Sequence, residues 1–315
     1  MNAAARLERG VALATVLVPF AGFVAAIALL VTTDLYRPIY GWLCAAMYVV
    51  SVLGITAGFH RGFTHRSFDA EPWLQTALGI SGSLAAQGPL IFWVAAHRRH
   101  HQFSDTANDP HSPHLPHRAD AGASAGSRAG LRGFLHAHVG WLLHHEPESW
   151  MKYAPDLLKQ RRACWITRWY GLWVLLGLVA PAAFAGLWTW SWQGAAMGAL
   201  WGGLVRVFLV HHVTWSINSI CHLFGPRPYE TGDQSTNNWV CAMLALGEGW
   251  HNGHHAFPTS ARHGLAAIEL DITYEFIRLL ERFGWVHGVK VPSPGQRELK
   301  RRRPAPRPDA PPDVR

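Results

Sequence analysis

The chain has 315 residues and a formal net charge of +8, yet only 15% of its residues are charged and 49% are hydrophobic. This balance argues against a nucleic-acid-binding protein, because the long apolar segments leave no soluble module to carry a basic surface. The four cysteines show no CxxC spacing, so free thiols are expected rather than a disulfide framework.

In chain order, long uncharged runs predict four transmembrane helices. Gly10–Val31 and Pro38–Gly58 lack charged residues, and each could cross the roughly 30 Å core of a bilayer as a helix. The first run is longer than the apolar region of a signal peptide, so a retained helix is expected. Trp169–Val205 is uncharged and too long for one crossing, which predicts a reversal at Ser191–Gly194. The predicted spans are residues 11–32, 40–59, 169–190 and 195–217.

The charged residues predict an orientation. Arginines precede the first and third spans and follow the second, whereas the two remaining loops carry little or no charge. The positive-inside rule then places both termini and all histidine motifs in the cytoplasm of a multi-pass protein of the cell inner membrane. Arg206 lies near the middle of the fourth span, where a charge is costly and marks a paired or functional position.

Residues 72–96 are uncharged and long enough for a fifth crossing. A crossing here would place the histidines at 60 and 65 on the other side of the bilayer from those at 97–101, so that they could not share metal ions. The Gln, Ser, Gly and Pro residues of this segment also suit a membrane span poorly. We therefore predict an interfacial or re-entrant helix over residues 72–96.

Three further segments complete the expected domain organisation. Ser112–Arg132 is rich in Ala, Gly, Ser and His and is predicted to be a flexible cytoplasmic insert. A helical region is expected at about 264–283, and the basic, proline-rich residues 291–315 are predicted to form a disordered tail near anionic headgroups. Residues 1–290 would form one all-α integral membrane domain, with a cytoplasmic helical cap on four transmembrane helices.

Histidine patterns mark the chemistry of this cap. HxxHH occurs at His97–His101 and again at His251–His255, and HxxxxH occurs at His60–His65. Residues four apart share a helix face, so the first and last histidines of each HxxHH point the same way. The adjacent His100 and His101 are about 100° apart around the helix and can face two different ions. The spacing of His60 and His65 corresponds to about 140°, which predicts one on the span and the other on the turn after it.

The number of imidazoles favours two metal ions. Imidazole binds Zn, Cu, Fe and Ni, and eight or nine histidines are too many for one four-coordinate zinc. The soluble ferritin-like di-iron proteins use mainly glutamates, whereas this chain has a single Glu-x-x-His, at Glu248 and His251. A histidine-rich pair of irons beside a membrane predicts oxygen activation on a lipid-like substrate.

At these motifs the sequence resembles the membrane fatty-acid desaturases of the stearoyl-CoA (delta-9) type. The resemblance covers about residues 40–290. The matching segments are Gly58–Arg66, His97–His101, Asp109–His111, His138–Trp141, Thr214–His222 and Gly247–Pro258.

The resemblance implies two Fe ions, with Asn218 near one of them through a water molecule. It also implies that O2 and two electrons remove two hydrogens from a saturated fatty acyl chain, expected as acyl-CoA, to leave a cis double bond, expected at delta-9. The implied iron ligands are His60, His65, His97, His100, His101, His222, His251, His254 and His255.

Family members bend their acyl tunnel with a Gln, a Trp and a Thr, and the matching positions here are Gln87, Trp93 and Thr214. Helix capping and membrane-interface anchoring are the alternative roles for the first two. Animal members also place polar residues for the CoA headgroup at positions that here are Gly88, Ala95 and Ala96, which weakens the case for CoA as the carrier. Arg98 and Arg99 could contact an anionic carrier instead.

The sequence shows no haem-binding segment, dinucleotide fingerprint or ferredoxin cysteine run, so a separate electron donor is expected. A basic face favours an acidic partner such as a ferredoxin, flavodoxin or rubredoxin with its reductase. Two alternatives remain: a di-iron hydroxylase, acetylenase or sterol/carotenoid oxygenase acting on a lipid, and a non-catalytic membrane metal transporter or buffer.

Overall fold

The structure is a computed structural model that describes residues 3–114, 127–144 and 150–302. It is almost entirely helical, with one short antiparallel pair of strands, β1 (Asp69–Ala70) and β2 (Val286–His287), in the described part of the chain. The α-helices are α1 (Ala3–Thr32), α2 (Pro38–Leu53), α3 (Pro72–Ser83), α4 (Leu90–Phe103), α5 (Ser127–Leu135), α6 (Trp141–His144), α7 (Trp150–Tyr153), α8 (Arg161–Arg168), α9 (Tyr170–Thr189), α10 (Trp192–Gly198), α11 (Arg206–Ser219), α12 (Trp239–Leu244), α13 (His251–Ala256), α14 (Ile272–Arg282) and α15 (Pro294–Leu299).

Besides these α-helices, the described residues form three π-helices, whose turns are wider, and two 3-10 helices, whose turns are narrower. The π-helices are Gly54–Thr64, His136–Gly140 and Ala199–Val205, and the 3-10 helices are Leu157–Lys159 and Ile220–His222.

The prediction of four long apolar helices is confirmed. Among the described residues, four continuous helical segments have the length and composition needed to cross a membrane. The reversal before the last of them also lies where expected, because Trp190 adopts a left-handed backbone and the Ser191 side chain caps α10 by accepting a hydrogen bond from the Gly194 N–H at 3.0 Å. The four segments are Arg6–Thr32, Pro38–Thr64, Tyr170–Thr189 and Trp192–His222.

The interfacial or re-entrant helix predicted over residues 72–96 is not one continuous helix. The segment consists of α3 and α4, separated by a break at residues 84–89. Ala86 and Gly88 have φ angles of 57° and 103°, in the left-handed region, and Pro89 has no N–H to continue a helix. Neither α3 nor α4 is among the segments long enough to span a membrane.

Helix α3 packs directly on the π-helix Gly54–Thr64. A Cβ at Gly54 would lie 2.1 Å from the backbone nitrogen of Gly82, and a Cβ at Gly58 would lie 2.9 Å from the Leu78 carbonyl oxygen. Only glycine therefore permits this approach of the two backbones. Ala57 of the π-helix also shares one apolar cluster with residues of α3, α14 and β2.

Two predicted flexible segments need correction where the structure describes them. In the insert predicted over 112–132, Ser112 is buried and donates to Asp105 at 2.6 Å, and α5 begins at residue 127; residues 115–126 lie outside the described residues. In the tail, Ser293 and Gln296 form a capping box that starts α15, so the predicted disorder is wrong for residues 291–302. Residues 303–315 lie outside the described residues.

The helix expected at about 264–283 is shorter than predicted. It is α14, which starts only at Ile272, because the Asp271 side chain accepts a hydrogen bond from the Tyr274 N–H at 3.0 Å and caps the helix there.

Candidate metal centre

All nine predicted ligand histidines converge at one place, although they come from four separate parts of the chain. They belong to the π-helix and the residue after it, to α4, to the 3-10 turn that ends the fourth long helix, and to α13. The nine histidines divide into two sets, each with its ligand atoms within 4.8 Å of one another. The five-histidine group contains His60, His65, His97, His101 and His254, and the four-histidine group contains His100, His222, His251 and His255.

Each HxxHH motif contributes to both groups. In α4, His97 and His101 join the five-histidine group, while His100 joins the four-histidine group. In α13 the assignment is reversed, because His251 and His255 join the four-histidine group and His254 the other. The helical spacing therefore makes each box bridge the two groups, as the i and i+4 geometry predicted.

The π-helix explains how His60 and His65 reach the same group. The His65 N–H donates to the His60 carbonyl at 3.1 Å, an i→i+5 bond that makes these residues neighbours across one widened turn. The separation of about 140° assumed an ordinary α-helix and does not hold here. The prediction that one histidine lies on the span and the other directly after it is confirmed, because His60 is in the π-helix and His65 follows its last residue. This local backbone change brings the HxxxxH histidines onto one side.

The distances between ring nitrogens suit metal ions. Within the five-histidine group, the Nε2 atoms of His60 and His254 are 3.0 Å apart, and those of His101 lie 2.9 Å from His254 and 3.0 Å from His97. Two nitrogens that each lie about 2.1 Å from one ion, at right angles, would be about 3 Å apart. The described residues thus provide two sets of imidazoles with a spacing that two transition-metal ions such as iron would accept.

Four carboxylates hold the outer nitrogens of these rings, and sequence analysis missed their role. His60 Nδ1 lies 2.5 Å from Glu248, and His222 Nδ1 lies 2.9 Å from Asp105. A carboxylate on Nδ1 fixes the tautomer in which Nε2 is free to bind a metal, and it makes that nitrogen more basic. The other two pairs are His100 with Asp109 at 3.0 Å and His255 with Asp233 at 2.6 Å.

The carboxylates are unevenly distributed between the groups. Three of the four pairs involve the four-histidine group, and only the Glu248 pair involves the five-histidine group. Burial alone would raise the pKa of Asp109, but the charge and hydrogen bond of His100 lower it far below its usual range. The four-histidine group is therefore surrounded by more negative charge.

The lowered pKa values of several rings in both groups favour metal binding. Burial, reinforced by neighbouring histidines, holds the pKa of His97 and His101 well below the usual value of 6.5. Burial likewise lowers the pKa of His255 to about 4, although Asp233 opposes the shift. The neutral imidazole is the form that binds metal, so these rings are ready to do so at neutral pH.

Arg61 supports the carboxylate of the five-histidine group. The sequence suggested a charge at the membrane surface, but Arg61 is fully buried. Its guanidinium donates to Glu248 at 3.0 Å, to Asp271 at 2.9 Å and to the Ala261 carbonyl at 2.7 Å. The same guanidinium lies 3.2 Å from His263, a fully buried ring that sequence analysis also missed.

Gln87, Trp93 and Thr214 also meet in the structure. Gln87 Nε2 donates to the Thr214 hydroxyl at 2.8 Å, and the Trp93 indole N–H donates to Gln87 Oε1 at 3.3 Å. The Trp93 ring stacks on His97, with centroids 5.1 Å apart and planes within 18°. Asn218 lies in the last turn of α11, four residues before His222, and is half-buried.

Arg98 is occupied by structural contacts. Its guanidinium donates to Asp156 at 2.5 Å and to the Phe63 and Thr64 carbonyls, both at 3.1 Å. A further bond to the Tyr153 carbonyl at 3.1 Å connects α4 to α7. Asp156 also pairs with Arg66. The expectation that Arg98 binds an anionic carrier is therefore not favoured by its surroundings.

Comparison with known proteins agrees with this geometry. A model of the fatty acid desaturase family matches residues 36–275. The chain is 42% identical to a hex-5-enoyl-acyl-carrier-protein acetylenase of Moorena producens, over 90% of this chain and 87% of the other. It is 39% identical to an acyl-CoA C20 Delta5-desaturase of Anemone leveillei, over 80% and 74% of the two chains. An sn-1 stearoyl-lipid 9-desaturase of Anabaena variabilis is 37% identical, over 78% and 81%.

These matches distinguish an enzyme from a non-catalytic metal transporter or buffer. The family consists of oxidoreductases, so an enzyme is supported and a non-catalytic metal transporter is not. Identities of 37–42% over most of both chains, together with the matched family model, show that the chain belongs to the fatty acid desaturase family.

Proposed function

We propose that the protein is a di-iron desaturase that introduces a cis double bond, at delta-9, into a saturated fatty acyl chain. Two carbon–hydrogen bonds of the chain break, and their two hydrogens, together with two external electrons and two protons, reduce O2 to two water molecules. When bound, the two irons supply the O2-dependent oxidation, and the nine histidines of the two groups hold them.

The observation that carries this proposal is the stacking of Trp93 on His97. The same indole is hydrogen-bonded to Gln87, which is in turn bonded to Thr214. One continuous set of contacts therefore joins the polar bend expected in an acyl channel to a ligand of the five-histidine group. Methylene groups offer no polar handle, so positioning of this kind is what the protein must contribute.

We place the four long helices in the cell inner membrane, with the termini and metal centre in the cytoplasm. Arginines on the short helix before the third span support this orientation, since Arg161, Arg162 and Arg168 are all exposed. An acidic donor, such as a ferredoxin, flavodoxin or rubredoxin with its reductase, would be attracted to this basic side.

The carrier proposed from the resemblance is CoA. Ala95 and Ala96, which match headgroup-contacting positions of animal members, are buried in α4 and cannot contact a headgroup in solvent. A CoA headgroup would therefore have to be bound by other residues. The relatives by name use chains on acyl-carrier protein, on CoA or in lipids, so the purified enzyme should be offered all three.

Expression in a host that lacks unsaturated fatty acids, followed by mass-spectrometric location of the double bond, tests the proposal. A cis alkene at delta-9, lost when His97 is replaced by alanine, is the expected result. A triple bond or a hydroxyl group would instead assign the protein to an acetylenase or hydroxylase. If the enzyme carries two irons and the acyl chains remain unmodified, the proposal is overturned.

A further inference from the structure

Arg206 occupies an unusual place in the fourth long helix. It is fully buried and is the one Asp, Glu, Lys or Arg residue of the segment Trp192–His222. Its guanidinium donates to the carbonyl oxygens of Leu84, of Gly177 at 2.8 Å and of Gly202 at 3.2 Å. Leu84 directly follows the last residue of α3, and Gly177 is in the middle of α9, so one side chain of α11 connects three helices.

The Leu84 carbonyl belongs to the break between α3 and α4, and His211 holds the next two. His211 is 1% exposed, and its Nε2 lies 2.9 Å from the Ala85 carbonyl and 3.1 Å from the Ala86 carbonyl. Irregular backbone among apolar helices is tolerated where protein groups satisfy its polar atoms. Arg206 and His211 provide hydrogen-bonding partners for three consecutive carbonyls, those of residues 84–86.

The far end of the break is held in the same way. The Gly88 N–H donates to the Tyr170 hydroxyl at 2.9 Å. Gln87, between Ala86 and Gly88 in the sequence, donates to the Thr214 hydroxyl. Arg206, His211 and Thr214 thus meet residues 84–87 in the same order along α11. The position of the break relative to α11 is set by this series of bonds.

We propose that Arg206 and His211 are positioning residues that determine which carbon of the substrate is oxidised. They fix residues 84–86, and therefore the depth at which Gln87 and Trp93 meet the acyl chain beside His97. This inference rests on the proposed desaturation and adds a specificity determinant to it. A misplacement of about 1 Å can change a rate about 100-fold, so a shifted break would favour a neighbouring methylene.

Gly177 provides an independent way to disturb the same contact. A Cβ at this position would lie 2.9 Å from the Arg206 guanidinium nitrogen and 3.3 Å from the Leu84 carbonyl oxygen. Gly177→Ala on α9 should therefore displace the guanidinium without removing it. Arg206→Lys keeps the charge but loses the fork that reaches two carbonyls at once.

The test measures where the double bond lies in the products of Arg206→Lys, His211→Leu and Gly177→Ala. The quantity compared is the ratio of alkene at the parent position to alkene at the neighbouring positions. Selection between neighbouring methylenes is expected to fall about tenfold in each variant, within the roughly 100-fold that a misplacement of about 1 Å can cost. Leu209→Ala is the matched control, because Leu209 lies on the same helix and is 36% exposed.

Unchanged positions in those variants that accumulate and turn over would overturn the inference, as would an equal shift in Leu209→Ala. If one variant fails to accumulate, the remaining two decide, because each of the three alters the break through a different residue. A parent enzyme that makes no alkene would instead refute the proposed function, and the two failures are thus distinguishable.

Discussion

Replacing a carboxylate that holds a ligand histidine should weaken one metal site and spare the other. Asp109 is the best position, because its side chain is fully buried. It accepts hydrogen bonds from His100 Nδ1 at 3.0 Å, from the Asp105 N–H at 2.9 Å and from the His111 N–H at 3.1 Å. In Asp109→Asn the negative charge disappears, and the amide NH2 faces one of the two backbone N–H groups.

The size of the effect follows from these contacts. A hydrogen bond to a charged group contributes about 1.5–3 kcal/mol. Loss of an outer partner of a ligand histidine typically lowers metal affinity about 10- to 100-fold, which corresponds to about 1.4–2.8 kcal/mol. The two estimates agree, so Asp109→Asn should bind metal at the four-histidine group about 10- to 100-fold more weakly. The five-histidine group, which contains no partner of Asp109, should keep its affinity.

Anaerobic titration of the metal-free enzyme with Fe(II), followed by metal analysis after desalting, measures this. Asp109→Asn should retain about one iron per chain at concentrations that give two in the parent. Glu248→Gln should weaken the other site, because Glu248 pairs with His60. Glu275→Gln is the control, as this side chain is exposed on α14. Equal loss at both sites in Asp109→Asn, or normal loading with two irons, would refute the assignment of partners.

Four further predictions concern stability, the acyl channel, the carrier and the donor. The metal-free enzyme should lose stability as the pH falls from about 6.5 towards about 4, because buried rings such as His255 bind protons only when unfolded; a flat thermal-denaturation profile would contradict this. Thr214→Val should lower turnover, while Thr214→Ser, which keeps the hydroxyl bonded to Gln87, should restore it; equal activities would remove Thr214 from the channel. Arg98→Ala should reduce the free energy of unfolding by about 1.5–3 kcal/mol, since Arg98 pairs with Asp156. The KM for acyl-CoA should not change. A raised KM with normal stability would instead support contact between Arg98 and an anionic carrier. Turnover with an acidic donor should also fall steeply with added salt, and salt-independent rates would argue against electrostatic docking.

Local patterns in the sequence were sufficient for the four long helices and for most of the histidines that come together in the two groups. Apolar runs of membrane length predicted the four long helices, because hydropathy depends on neighbouring residues along one segment. The HxxHH spacing predicted that His100 and His101 face different groups, because four residues make about one helical turn. The resemblance to desaturases then identified the ninth histidine, His222, which belongs to no box.

Other features depended on contacts between distant segments. The π-helical turn that brings His60 and His65 together forms where α3 packs on glycine backbone. The partner of Glu248 is Arg61, 187 residues away in sequence, and the Leu84 carbonyl that Arg206 binds is 122 residues away. Neither partner could be chosen from a spacing rule.

The sequence by itself determined which residues are apolar, which can bind metal and how each is spaced on its own helix. Tertiary structure alone decided where the helix over 72–96 breaks, which carboxylate holds each imidazole, and what a buried arginine binds. The physical reason is that helix periodicity arises from bonds between residues a few positions apart. Burial of a charge or a carbonyl, by contrast, must be compensated by whichever polar group the folded chain brings close.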